Sequence, residues 1–322
     1  MFPTKDKLTI CFAHVAYAMQ DRFALRKTGI NSFQVRTPEE FQKRVGEADV
    51  VVVSGMWKND LIASAGKLKF IQSISAGMDQ YSKEQLGAKG VRLCSASGVN
   101  ARAVAEHAIA LMLAVARRLP EARDNQHKKF WRGMIGDLTQ REDEIGGKTV
   151  LIVGTGKIGS HLAGLCKAFG MKVLGIRRDP SKGTDGADSI HGMGDLVKLV
   201  PQADYVVLAC ALTPETTGLM SAAAFAAMKP TATFVNVARG KVADEAALIA
   251  ALKAGKIAAA SIDVTAEEPL PASSPLWEMP NVFFSPHTAG ETRAYEDNVI
   301  DVLMDNLDRL WRGEKTLRNQ VL

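Results

Sequence analysis

The stretch that most restricts this chain is TVLIVGTGKIG, residues 149–159, an apolar run cut short by glycines at 154, 156 and 159 and followed at once by SHLAGLCKAFG. A strand, a turn and a helix, in that order, satisfy all of it. The first two glycines allow a tight turn with no Cβ in the way, and the third lets helix and strand pack closely. Backbone N–H groups at such a helix start, at the positive end of its dipole, suit a pyrophosphate. Glycine spacing alone is common, and the flanking strand and helix are what make it informative. A Walker-type phosphate loop is excluded, because GGKT at 146–149 has Glu142 where that motif's leading glycine belongs.

A strand of this kind needs parallel neighbours, and the chain supplies them twice. Before residue 100, LTICFA, SFQV, DVVVVS, FIQSIS and VRLCS alternate with helix-compatible segments; after residue 148, TVLIV, KVLGI, DYVVLAC, TFVNV, AAASIDV and VFFSP do the same. At 322 residues the chain exceeds what one core organises. The predicted fold class is therefore α/β, two doubly wound parallel-sheet domains with a cleft between, one flavodoxin-like and one Rossmann-type. The domains are residues 1–99 plus 290–322, and 100–289. Between them NARAVAEHAIALMLAVARRLP places Val104, His107, Ala108, Leu111 and Val115 on one helical face, crosses from one domain to the other and stops at Pro120. Residues 121–147 read as an arm or loop. AYEDNVIDVLMDNLDRLWRG reads as an amphipathic helix, through Val299, Val302, Leu303, Leu307 and Leu310, that packs back on the first unit.

Several function classes recede on composition. The 40 basic and 35 acidic residues give +5, scattered and without the concentrated stripe that nucleic acid requires. Cys11, Cys94, Cys166 and Cys210 lie far apart in apolar runs, so they read as buried thiols in a reducing compartment, with no metal site. Lys5, Lys7, the run LTICFAHVAYAM and a small-residue AYA imitate a secretory signal, but Asp6 and His14 interrupt it and LTICFA serves as a first strand. No run suits a membrane span, and a cytoplasmic location is expected.

Beyond the glycine loop, the strand KVLGI should end on an acidic residue that bonds the adenosine ribose 2′-hydroxyl. Arg177 and Arg178 stand there instead, followed by Asp179. A guanidinium takes a 2′-phosphate in a charge-assisted fork, so NADP(H) is favoured; NAD(H) stays possible if both arginines are merely solvated. Downstream, VNVARG, DVTAEEPLP and SPHTAG place Arg239, Glu268 and His287 just after three strands, where ligands of open parallel sheets bind. Those types suit reduction of a 2-oxo acid: arginine polarises the keto oxygen and holds the carboxylate, histidine passes a proton, and glutamate orients the imidazole. His14, His107, His127, His161 and His191 carry no such context: His107 and His161 lie on predicted helices, His127 and His191 in polar loops. Trp57 and Trp131 read as core or interface fillers, with substrate gating as the alternative.

GVNARAVAEHAIAL, VLIVGTGKIG, LTPETTGLM, FVNVARG, ASIDVTAEEPLP and NVFFSPHTAG together resemble the D-isomer-specific 2-hydroxyacid dehydrogenases over essentially the whole chain. The resemblance implies a catalytic trio of Arg239, Glu268 and His287, with Ala76 and Gly77 of SAGMD binding the substrate carboxylate through their N–H groups beside Arg239 and His287. It implies Gly154, Gly156, Lys157, Ile158 and Gly159 against the pyrophosphate, and Cys210, Ala211 and Thr216 along the adenosine. Val237, Ala238 and Asp263 would frame the nicotinamide. It further implies a substrate-binding first domain, a cofactor-binding second one, and a homodimer joined through the latter. Arg177 resembles the glyoxylate and hydroxypyruvate reductase branch, which makes such acids the expected substrates. Thr265 where an aromatic is frequent, and Ala211 where proline is, bear on the shape of the site.

Two other readings fit the same fold: a dinucleotide-sensing regulatory protein, as in the corepressors similar to this family, and a phosphite- or formate-type dehydrogenase. Formate enzymes of the family carry glutamine where Glu268 stands, which weighs against formate oxidation and less against phosphite oxidation.

Overall fold

A computed structural model describes residues 2–322. The chain divides into two compact units, one running to Asn100 and resuming over Thr292–Leu322, the other Ala101–Glu291. Helices flank both sheets.

In the first unit, strands β1 (Thr9–Ala13), β2 (Asn31–Val35), β3 (Val50–Val53), β4 (Phe70–Ser73) and β5 (Arg92–Cys94) form one parallel sheet in the order β2-β1-β3-β4-β5. That is the flavodoxin-like order. Both faces of β3 are covered: Val50 and Val52 join one cluster, Val51 and Val53 the other. A run of four valines reads this way because a strand buried on both sides has no polar face to alternate with. The helix Tyr295–Trp311 closes one of these clusters with Val299, Ile300, Leu303 and Leu307 against Ile10, Phe12 and Val52. Leu310 is only half-buried, and Asn306 is buried in its stead. Its amide donates to Gln72 Oε1 at 3.0 Å while its Oδ1 accepts the Arg318 N–H at 2.7 Å, so the polar group enters the core fully partnered.

In the second unit, β6 (Thr149–Val153), β7 (Lys172–Ile176), β8 (Ser189–His191), β9 (Tyr205–Leu208), β10 (Thr233–Asn236), β11 (Ala259–Ile262) and β12 (Val282–Phe284) are parallel in the order β12-β11-β10-β9-β6-β7-β8. The order reverses at β6, which pairs with β7 on one side and β9 on the other, Val153 facing both Ile176 and Leu208. Val150 and Ile152 face the helices Ala101–Ala116 and Lys157–Ala168; Leu151 and Val153 face Phe225, Phe234 and Leu248.

The structure corrects four expectations. The sheet has a seventh strand, β8, whose three residues are too few to show a period, and His191 ends it rather than lying in a loop. Pro120 does not end helical structure: the helix Ala101–Ala116 stops earlier, at a left-handed Arg118, and Pro120 occupies the first turn of a new helix, Leu119–His127. Proline fits that turn because its missing N–H would have had no partner there. His127 therefore closes a helix, and the arm shortens to residues 128–147. The helix Ala101–Ala116 lies wholly in the second unit, and its buried side adds Ile109 and Met112 while Val115 stays half-buried. Cys11, Cys94 and Cys166 are buried free thiols, but Cys210 is only half-buried. Trp57 fills the first unit's core between Phe41 and Tyr81, whereas Trp131 is 96% exposed. Among the described residues no helix is long and apolar enough to cross a membrane.

Candidate active site

The glycine turn leaves β6 at the point where the strand order reverses, the place where an open parallel sheet leaves a crevice. Gly154 sits at φ +101°, and a Cβ there would stand 2.6 Å from the Cys210 backbone; at Gly159 it would stand 2.1 Å from the Gly154 carbonyl. The turn is thus pressed between the end of β9 and its own helix, which begins at Lys157 with Gly156 as its cap. The buried Thr155 hydroxyl has no hydrogen-bond partner among the described residues. A cradle closed to a Cβ at Gly154 and Gly159, a helix start and an orphaned hydroxyl fit a dinucleotide pyrophosphate.

Gly154, Gly156, Arg177, Arg178, Cys210, Ala211 and Thr216 line a single cavity of about 740 Å³ in this unit. Lys157, Ile158 and Gly159 form the helix turn beside it. Thr216 shapes the rim, its hydroxyl donating to the Ala211 carbonyl and accepting the Thr213 N–H, both at 2.7 Å. Burial pushes the Cys210 thiol up to about 11. The two arginines have different situations. Arg177 is paired with Asp185 and donates to the Gly183 carbonyl at 3.3 Å, bracing the loop after β7. Arg178 is exposed and makes no hydrogen bond or ion pair among the described residues. Asp179 lines the same cavity and caps Ser181, whose hydroxyl and N–H hold its carboxyl below the usual range. Lys182, which the sequence reading passed over, lines the same cavity.

Three loops leave the neighbouring strands and are tied to one another. After β10, buried Asn236 accepts the Ala238 N–H at 3.0 Å and donates to the Arg239 carbonyl at 3.1 Å, so its side chain closes the loop that presents Arg239. The guanidinium donates to Ala238 O at 2.8 Å. At Gly240 a Cβ would stand 1.9 Å from the Thr265 carbonyl, so only glycine lets this loop lie against the next. After β11, Glu268 accepts the Thr265 N–H through Oε1 at 3.1 Å and contacts His287 Nδ1 through Oε2 at 2.7 Å. After β12, His287 stands at φ +56° with its side chain 44% exposed.

Val237, Ala238 and Asp263 are buried at these strand ends and do not line the dinucleotide cavity. Both Asp263 oxygens are engaged, Oδ1 by Ser285 Oγ and the Thr288 N–H, Oδ2 by the Ala289 N–H. The sequence reading missed Asn236, Ser285 and His107, whose roles depend on partners far along the chain. In the first unit, Ser75 Oγ donates to the Gly77 carbonyl at 2.9 Å and accepts from Ser54 Oγ at 2.9 Å. The N–H groups of Ala76 and Gly77 find no acceptor among the described residues.

Residues 109–289 match the family model described as D-isomer specific 2-hydroxyacid dehydrogenase, NAD binding domain. The chain is 35% identical over 287 residues to a D-3-phosphoglycerate dehydrogenase of Methanocaldococcus jannaschii, covering 86% of this chain and 52% of that protein. It thus spans about half the length of that relative. A glyoxylate/hydroxypyruvate reductase B of Escherichia fergusonii is 35% identical over 289 residues, covering 89% of this chain and 88% of its own length. The crystal structure of a D-isomer specific 2-hydroxyacid dehydrogenase family protein from Aeromonas salmonicida superposes with a TM-score of 0.85 at 30% identity, over 98% of this chain and 99% of that one.

Proposed function

The chain belongs to the D-isomer specific 2-hydroxyacid dehydrogenases, and from that premise we propose that it reduces a small 2-oxo acid, glyoxylate or hydroxypyruvate, to the 2-hydroxy acid, of the D series where the product is chiral. NADPH is favoured over NADH. The observation that carries the reading is the 2.7 Å contact between His287 Nδ1 and Glu268, because it commits one ring nitrogen to the carboxylate and leaves Nε2 to serve a substrate.

In this reading Nε2 of His287 gives its proton to the carbonyl oxygen as that oxygen gains charge. Glu268 holds the ring plane, itself steadied by the Thr265 N–H. Arg239 stabilises the growing oxyanion, a contribution of about 3 kcal/mol for one such donor. The free N–H groups of Ala76 and Gly77 are the proposed partners of the substrate carboxylate. The dihydronicotinamide, when bound, supplies the hydride to the keto carbon. Exposed Arg178, with Lys182 in the same cavity, supports the choice of a 2′-phosphorylated cofactor.

The deciding assay runs a dozen 2-oxo acids against NADPH and NADH in parallel, with 3-phosphoglycerate oxidation included because longer relatives are named for it. The expected result is glyoxylate or hydroxypyruvate reduction with the higher kcat/KM for NADPH; a clear preference for NADH rejects the cofactor assignment. His287→Ala should lower kcat by about 10²–10⁴-fold with cofactor affinity nearly intact. Unchanged turnover would remove the histidine from the mechanism.

A further inference from the structure

The loop that carries His287 is laced to a second histidine that the proposed chemistry leaves unused. At φ +56° His287 occupies the left-handed region, which disfavours a residue with a side chain, so the surrounding bonds must hold it there. Its N–H bonds to the carbonyls of Asp263 at 2.8 Å and Ser285 at 3.0 Å. Asp263 is 2% exposed, and its carboxylate gathers the Thr288 N–H at 2.9 Å, the Ala289 N–H at 3.1 Å and the Ser285 hydroxyl at 2.6 Å. Every residue from 285 to 289 except Pro286 is therefore bonded to Asp263.

The Ser285 hydroxyl has one proton, and the Asp263 carboxylate takes it. The 2.8 Å contact between Ser285 Oγ and His107 Nε2 must then run the other way, with the imidazole N–H as donor. Nε2 also stands 3.6 Å from Asp263 Oδ1. A directed chain of donors thus runs from His107, on the helix Ala101–Ala116, through Ser285 to the buried carboxylate, whose own backbone carbonyl accepts from His287.

We propose that His107 and Ser285 are positioning residues for His287: through this chain the helix fixes the loop that aims the imidazole. The proposal rests on reading His287 as the proton donor. Displacing a reacting group by even an ångström is enough to slow turnover sharply, so a relaxed loop shows in kcat.

The test compares Ser285→Ala, His107→Leu, which keeps bulk but cannot donate, and His107→Gln, whose amide restores an N–H near the Nε2 position. Ser285→Ala and His107→Leu should each lower kcat by about tenfold or more, with NADPH affinity by fluorescence titration unchanged. His107→Gln should recover most of the loss. The double variant Ser285→Ala/His107→Leu should be no worse than its worse single, because both act through one hydroxyl. Wild-type kcat in both single variants, additive losses, or failure of His107→Gln to rescue overturns the proposal. Should His107→Leu not fold, Ser285→Ala breaks the same link without disturbing the helix. His287→Ala, assayed alongside, separates the two ideas: if it is inactive while Ser285→Ala is not, only the positioning role is lost. If it is fully active, the reading of His287 falls and the proposal with it.

Discussion

Gly159 shows how little freedom a single position can have. Its missing side chain lets the helix Lys157–Ala168 press on the Gly154 carbonyl, where a Cβ would stand at 2.1 Å, and on Ile152 behind it. Neither neighbour is the far end of a flexible side chain, so Gly159→Ala must push the helix off its strand and open the cradle. The expected outcome is a loss of about 1–3 kcal/mol in unfolding free energy and failure to retain NADPH on equilibrium dialysis. Wild-type cofactor retention would show that the close packing does not matter to binding. This position was legible from the glycine spacing together with the strand before it and the helix after it, because glycine at such a helix start has one steric meaning. Asn236 was not, although VNVARG was in view: nothing in that string says that the amide will turn back on the Arg239 carbonyl.

Among the elements, the β-branched runs announced themselves and the short or proline-marked ones did not. Eleven of the twelve strands follow from apolar runs between polar segments; β8 is three half-buried residues held at the sheet edge by pairing with β7, a tertiary cause. Pro120 was misread for a different reason, since proline halts one helix and starts another with equal ease. Strand starts hold a further expectation. Asp204, just before β9, accepts the Thr149 N–H of β6 at 2.8 Å and the Lys229 ammonium at 2.7 Å. Burial alone would push its carboxyl up, but those two donors outweigh it and the value lies below the usual range. A depressed folded value stabilises above the unfolded carboxyl pKa of about 3.9, and that contribution is lost as pH falls through the folded value. Asp204→Asn should therefore cost about 1–2 kcal/mol at pH 7, and the gap from wild type should close below about pH 4. Urea titrations at several pH values measure it; a gap that persists in acid would assign it to shape rather than charge.

For the whole molecule, the arm after residue 127 exposes Phe130, Trp131 and Met134 around a cavity of about 930 Å³, and Leu138 further along. Clustered apolar exposure of this kind marks a contact surface, and a second copy of the chain is the proposed partner. Light scattering should give the mass of two chains, and Trp131→Glu should shift it toward one; a single-chain mass for the wild type would reject the pairing. The order of the second sheet carries its own consequence. β6 meets β7 early in the chain, but its other edge waits for β9, which follows only after β8 and the helical segments beyond it. Until β9 docks, the glycine turn has a helix on one side and no wall on the other, because that wall is Cys210. A partly assembled sheet therefore lacks one wall of the dinucleotide cradle, although the helix start and the arginines after β7 are in place, and bound cofactor most stabilises chains whose two half-sheets have closed on β6. During biogenesis the ligand would act as an inspector of completed assembly, favouring those copies in which the seam is shut.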